Sequence, residues 1–175
     1  MTVAVVMGVS GSGKTTIADD VSKRLGWPLL EGDTFHPPAN VEKMSRGVPL
    51  TDEDRWPWLR AIAAAIDEVR GRGGSAVVAC SALKRAYRDI LIGDRHDVWL
   101  VYLRGTKDLI AKRMAARKGH FMPVALLDSQ FATLEEPGPG EHPIVVSVEP
   151  PPRDIVAAVL RALQERGAVP GDLPA

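Results

Sequence analysis

"VAVVMGVSGSGKTT", residues 3–16, decides the fold. Its first five residues are apolar with no period-2 alternation, the pattern of a strand buried on both faces of a parallel sheet. From Thr15 the pattern turns helical: Ile17, Val21 and Leu25 recur every four residues, and Gly26 closes the run. Between strand and helix, residues 8–15 match G-x-x-x-x-G-K-[ST]. A plain Gly/Ser turn needs neither the lysine nor that position. Phosphate binding needs both. Glycines let the backbone curl so that successive N–H groups face phosphate oxygens. The helix N-terminus adds the positive end of its dipole. Lys14 brings a full charge to the β- and γ-phosphates, and the Thr15 hydroxyl can ligate Mg²⁺ directly. The stretch predicts a nucleoside triphosphate held by Gly8, Ser10, Gly11, Ser12, Gly13, Lys14, Thr15 and Thr16.

Outward from this stretch, strands and helices alternate. "WPLLEGD" (27–33) reads as a second strand, and residues 76–80, 98–103 and 144–148 as three more. Helices are expected at 38–46, along the face Leu59, Ile62, Ile66 and Val69, at 84–92, and from Thr106, a good N-cap, to about residue 117. Val124, Leu127, Phe131 and Leu134 mark a helix behind Pro123, and Ile155, Val159 and Leu163 mark the last. Such alternation specifies an α/β fold, a parallel sheet with helices on both faces. Residues 135–143, "EEPGPGEHP", read as a loop, because too little chain follows to build another domain. We expect one domain over 1–167 and a flexible tail over 168–175.

At 175 residues the chain suits one sizeable core. Lys and Arg total 22, as do Asp and Glu. Zero net charge argues against a general nucleic-acid or membrane-surface binder. Cys80 is the sole cysteine, so no internal disulfide can form. No apolar run approaches about 18 residues, and no secretory leader pattern opens the chain. We expect a cytoplasmic protein.

The P-loop does not belong to a GTPase switch. Asn-Lys-x-Asp is absent, and the third strand ends "VVACSALK" where Asp-x-x-Gly would stand. A phosphotransferase with a small acceptor fits better. "GDTFHPPANVEKMSRGVPLTDEDRWPWL" (32–59), "CSALKRAYRDIL" (80–91), "ARKGHFMP" (116–123) and "SQFATLEEP" (129–137) closely resemble the small P-loop gluconokinases. The resemblance runs from about residue 3 to about residue 165. It implies an adenylate-kinase-like α/β/α sheet of five parallel strands in the order 2-3-1-4-5, with a lid near 117–136. It also implies transfer of the ATP γ-phosphate to the 6-hydroxyl of D-gluconate, and a homodimer. Shikimate-type and nucleoside monophosphate kinases are the neighbouring alternatives. The His36-Pro-Pro and Cys80-Ser-Ala-Leu-Lys84 segments disfavour both. A nucleotide-binding regulator without turnover is the alternative from another class.

Asp33 follows the second strand, at the end where open α/β sheets place ligands. The resemblance sets it at the acceptor hydroxyl, to orient it, take its proton or hold Mg²⁺ through water. Glu31 shares its alternation phase and is a lesser candidate for the metal. An acid bearing hydroxyls needs cations at one end and hydrogen-bonding groups elsewhere. His36, Lys43, Arg55, Ser81, Lys84 and Arg88 are the candidates, with Arg55 and Arg88 favoured because a guanidinium fork matches a carboxylate. Each basic residue alone reads equally well as a solvated surface charge; together they point to an anion. Trp56 and Trp58 read as packing residues and Cys80 as a small buried one. The resemblance assigns Arg113 and Arg117 to ATP phosphates, and Lys118 and His120 to the lid, with His120 also toward the substrate. Lys14, Asp33 and Arg117 are the expected catalytic groups. Gln130 and Glu135 either contact substrate or frame the lid. No histidine has metal-ligand spacing, and no aspartate closes the third strand to anchor Mg²⁺.

Overall fold

The computed structural model describes residues 1–116 and 124–171. In chain order they form β1 (Val3–Met7), α1 (Lys14–Leu25), β2 (Leu29–Glu31), a 3₁₀ turn (Gly32–Phe35), α2 (Pro38–Ser45) and α3 (Asp52–Gly71). Then come β3 (Ala76–Ala79), α4 (Arg85–Leu91), β4 (Val98–Arg104), α5 (Lys107–Ala116) and α6 (Val124–Thr133). A second 3₁₀ turn (Pro139–Glu141), β5 (Ile144–Ser147) and α7 (Pro152–Glu165) complete the chain. All strand pairs are parallel, in the order β2-β3-β1-β4-β5.

The unbroken apolar run of β1 is explained by two cores. Val3, Val5 and Met7 pack against Trp58, Leu59, Ile62 and Ile66 of α3. Ala4 and Val6 face the opposite way, onto Ile17 and Val21 of α1 and Ile155, Val159 and Leu163 of α7. Alternation is present in direction but invisible in polarity, because both faces are covered. Burying each such side chain contributes about 1.5–3 kcal/mol. This fixes β1 at the centre of the sheet and puts the loop after it at the carboxyl edge, between strands whose connections leave in opposite directions.

Two elements differ from the periodicity reading. α3 begins at Asp52, well before its apolar face, because Thr51 caps it: Thr51 Oγ1 accepts from Asp54 N at 3.2 Å, and Asp54 Oδ2 accepts from Thr51 N at 2.9 Å. Residues 168 and 169, expected in the tail, pack against the domain. Ala168 N donates to Leu163 O and Gly167 N to Gln164 O, a turn that folds the chain back. Ala168 and Val169 are consequently buried, and Thr2 Oγ1 donates to Ala168 O at 2.7 Å.

A small third core joins Val9 of the P-loop to Leu83, Ile110 and Leu127, so α6 is seated on the nucleotide loop. Of the expected lid, α6 is described. Arg117, Lys118 and His120 lie outside the described residues. Among the described residues no helix is long and apolar enough to cross a membrane.

Candidate active site

The P-loop forms as its spacing requires. Gly13 stands at the N-cap of α1 with φ of 87°, a left-handed conformation that strains any residue with a Cβ. No side chain caps the helix, so the first N–H groups of α1, at Lys14, Thr15 and Thr16, have no intrahelical acceptor. They are open to an anion. Ser12 turns inward instead: its N–H donates to Val9 O, and its hydroxyl is buried without a partner. Thr16 lies beside Gly13 on the rim of a cleft of about 270 Å³, with Arg113, Ala116, Pro152 and Ile155 around it. Arg113 donates there to Val148 O and Glu149 O.

β2 delivers Glu31 and Asp33 to the same edge. Gly32 between them packs so closely on β3 that a Cβ would stand 2.5 Å from Ala79 O. Trp58 Nε1 donates to Gly32 O at 2.8 Å and pins the turn. Asp33 is exposed, while Glu31 is half-buried and its Oε1 lies 3.5 Å from Thr15 Oγ1. Burial pushes the Glu31 carboxyl above its ordinary range, and the like charge of Asp33 adds to this. Burial likewise pulls the Lys14 ammonium down, opposed by Asp33, Cys80 and Glu31. One lysine therefore sits among two carboxylates beside the threonine hydroxyl. Cys80 is buried and its thiol is pushed up to about 12, so it stays protonated and inert.

The cations expected at the acceptor are organised by Asp52 and Tyr87, which the sequence did not single out. Asp52, at the start of α3, accepts from Tyr87 Oη, and Lys84 Nζ lies 3.2 Å from both of its oxygens. Arg55 donates to Leu50 O at 2.8 Å and reaches Tyr87 Oη at 3.4 Å, with Asp52 3.9 Å away. Both cations lie over the Tyr87 ring, 5.7 Å from its centroid. His36 stacks on Trp58, ring centroids 4.3 Å apart. Ser81 follows β3 at the same edge, half-buried.

Two expected substrate cations are committed elsewhere. Arg88 is 2% exposed; its Nε and one terminal nitrogen donate to Glu141, and the other donates to Ala82 O and Leu83 O. A guanidinium so occupied holds the loop after β3 rather than presenting a free fork to a carboxylate. Lys43 donates to Asp54 Oδ2 at 2.7 Å and ties α2 to the α3 cap. Gln130 is drawn to the P-loop rather than the acceptor side, its Oε1 accepting from Ser10 N and Oγ. Glu135 ties the chain after α6 to the start of α4: its Oε1 accepts from Arg85 N, and its own N–H donates to Leu83 O. Trp58 and Trp56 pack, the latter edge-on to Tyr87. A cavity of about 500 Å³ beside β4 is also rich in arginine, but Arg88 and Arg95 there are paired with Glu141 and Asp67, far from the phosphate loop.

A parallel 2-3-1-4-5 sheet, an open phosphate cradle with its lysine, and facing carboxylates and cations together define a P-loop kinase. Residues 3–137 match the AAA domain family, and the chain is 51% identical over 160 residues to the gluconokinase of Gluconobacter oxydans (strain 621H), covering 91% of this chain and 90% of that relative. The chain belongs to the gluconokinase family. It is 41% identical over 162 residues to the thermoresistant gluconokinase of Escherichia coli (strain K12), covering 92% and 93% of the two chains. The solved structure of a gluconokinase from Sinorhizobium meliloti 1021 aligns with a TM-score of 0.85 at 45% identity, covering 94% of this chain and 93% of that one.

Proposed function

We propose that the chain transfers the γ-phosphate of ATP to the 6-hydroxyl of D-gluconate, giving 6-phosphogluconate and ADP. The observation that carries this reading is that the uncapped P-loop amides and Lys14 lie within charge range of Asp33, which together with Arg55 also bears on His36. Phosphoryl transfer needs little covalent help from the protein, so placement and charge dominate. The amides of Lys14, Thr15 and Thr16 and the Lys14 ammonium bind the phosphate chain and neutralise the charge that develops on it. The cleft between Thr16, Arg113 and Pro152 accommodates the base. Asp33 orients the 6-hydroxyl for in-line attack and takes its proton. Arg55, whose remaining N–H groups have no hydrogen-bond partner among the described residues, receives the carboxylate, with Lys84, Ser81 and His36 completing the polyol contacts. Following the family resemblance, we assign Arg117 to the ATP phosphates and His120 to the substrate.

Mg²⁺ belongs to the same reading. The Thr15 hydroxyl with Glu31 beside it, and Asp33 close enough to Glu31 for their charges to interact, is an all-oxygen set that suits a hard cation keeping several waters. When bound there, Mg²⁺ would supply positive charge against the phosphate oxygens. We read the protein as cytoplasmic, in keeping with its lone buried thiol, and as a homodimer, following the resemblance.

A panel of D-gluconate, related sugar acids, shikimate and nucleoside monophosphates, assayed for ADP release, tests this reading. Turnover of gluconate at the highest kcat/KM supports it; turnover of shikimate or a nucleotide in its place overturns it.

A further inference from the structure

Asn40, on α2, is only 3% exposed. A buried side-chain amide must place its two N–H donors or lose stability. Both are placed here: one donates to Asp54 O at 2.8 Å, the other meets His36 Nδ1 at 3.2 Å. The first bond fixes which end of the amide is nitrogen, because a carbonyl oxygen facing Asp54 O would repel it. The second then fixes the histidine. An amide N–H can be accepted only by an imidazole nitrogen that carries no proton, so the proton of a neutral ring resides on Nε2. The ring lies flat on Trp58 at an interplanar angle of 13°, which fixes its plane; a half-turn within that plane would put a carbon in place of Nδ1 and strand the buried amide N–H.

Resting on the gluconate reading above, we propose that Asn40 is a positioning residue that holds His36 as the neutral Nε2–H tautomer, so that His36 donates one hydrogen bond to an oxygen of the sugar acid. Three kinds of group face the ring. Asp33 on the 3₁₀ turn favours the charged form, Arg55 on α3 opposes it, and burial against Trp58 opposes it most, which holds the imidazole below its ordinary pKa. The result is a directional donor without a full charge. It selects an oxygen lone pair at that point of the acceptor and leaves the carboxylate to Arg55. A doubly protonated ring would compete with Arg55 for the carboxylate, and the other tautomer would turn a lone pair toward substrate oxygens and repel them.

The test starts with long-range ¹⁵N–¹H correlation spectra of the unsubstituted protein at pH 7.5. The expected pattern for His36 is a protonated Nε2 and an unprotonated Nδ1; a protonated Nδ1, alone or in a charged ring, overturns the proposal. Asn40→Asp replaces the donor with an acceptor, moves the proton to Nδ1 and raises the His36 pKa. It should raise KM for gluconate about tenfold, the scale of one hydrogen bond, with KM for ATP little changed. A reversed tautomer with KM for gluconate unmoved overturns the substrate role. His36→Gln places an amide N–H near the Nε2 position and should keep KM for gluconate, whereas His36→Asn, whose amide reaches only as far as Nδ1, should lose it. That pair decides the matter if Asn40→Asp fails to fold. Absence of gluconate turnover in the unsubstituted protein sinks the functional reading and the substrate half of the proposal, while the spectra still report the tautomer independently.

Discussion

Gln130 of α6 hydrogen-bonds Ser10 of the phosphate loop: its Oε1 accepts from the Ser10 backbone N–H at 3.2 Å and from its hydroxyl at 3.4 Å. An amide oxygen thus takes donors that lie on the phosphate-binding loop. A neutral oxygen can share or yield such donors when an anion enters; a charged one would repel it. Gln130→Glu sets a carboxylate beside the phosphates, where its charge is poorly screened. KM for ATP should rise by about tenfold or more, a penalty near 1.4 kcal/mol, while Gln130→Ala should have the smaller effect. Steady-state kinetics at fixed gluconate measure both. Equal effects from the two variants would mean that the contact, not its charge, matters.

Lys14 and Asp33 lie close enough for their charges to interact but have different proposed roles, and their substitutions should separate in kinetics. Lys14→Ala removes the cation that meets developing charge and should abolish most activity. Asp33→Asn keeps the shape but loses the proton acceptor, so kcat should fall by ~10²–10⁴ with KM for ATP little changed. An Asp33→Asn enzyme at near the original rate would reduce Asp33 to a structural role.

The cap of α3 makes stability depend on pH in a calculable direction. The Lys43 ammonium, together with the Thr51 N–H, holds the Asp54 carboxyl down to about 2, against an ordinary value of 3.8. A depressed carboxylate stabilises the fold fully above its unfolded pKa, and the contribution is lost as pH falls from 3.8 through about 2. Asp54→Asn should therefore lower Tm at pH 7, and its gap to the parent protein should narrow through that acid window. Thermal melts from pH 7 down through that window check this. A constant gap would assign the effect to cap geometry rather than charge.

What the sequence discloses follows from how local each interaction is. The P-loop is legible because its donors are consecutive amides and one neighbouring lysine. β1 is legible because covering both faces leaves no polar residue to confuse. The Thr51-x-x-Asp54 cap was equally local and would have set the start of α3 correctly. The acceptor cations were harder. Lys84 and Arg88 are four apart, which suggests one helical face, but Lys84 is the N-cap of α4 with extended backbone, so it is not placed by the helix. It turns to Asp52 while Arg88 turns into the core. Nothing in residue spacing says that Glu141, distant in sequence, arrives opposite Arg88. Asn40 gave no signal either, since a lone asparagine in a helix is ordinary until its burial is known.

Arg88 allows the sharpest distinction between stability and binding. Its charge is taken from water and repaid by a two-point contact to Glu141, Nε to Oε1 at 2.7 Å and a terminal nitrogen to Oε2 at 3.2 Å. Removing one partner leaves the other charge buried and uncompensated, which costs about 3–5 kcal/mol. Arg88→Met should lose that much in urea unfolding. A lysine cannot reproduce the fork, so Arg88→Lys should lose much of it too. Arg88→Met combined with Glu141→Leu should regain a large part, because an apolar pair no longer strands a charge. Molecules of the double variant that remain folded should bind gluconate with KM within about threefold of the parent, since one hydrogen bond is worth more than that. If stability is unchanged and KM for gluconate rises steeply instead, Arg88 meets the substrate carboxylate after all, and Glu141 must release it when the acceptor binds.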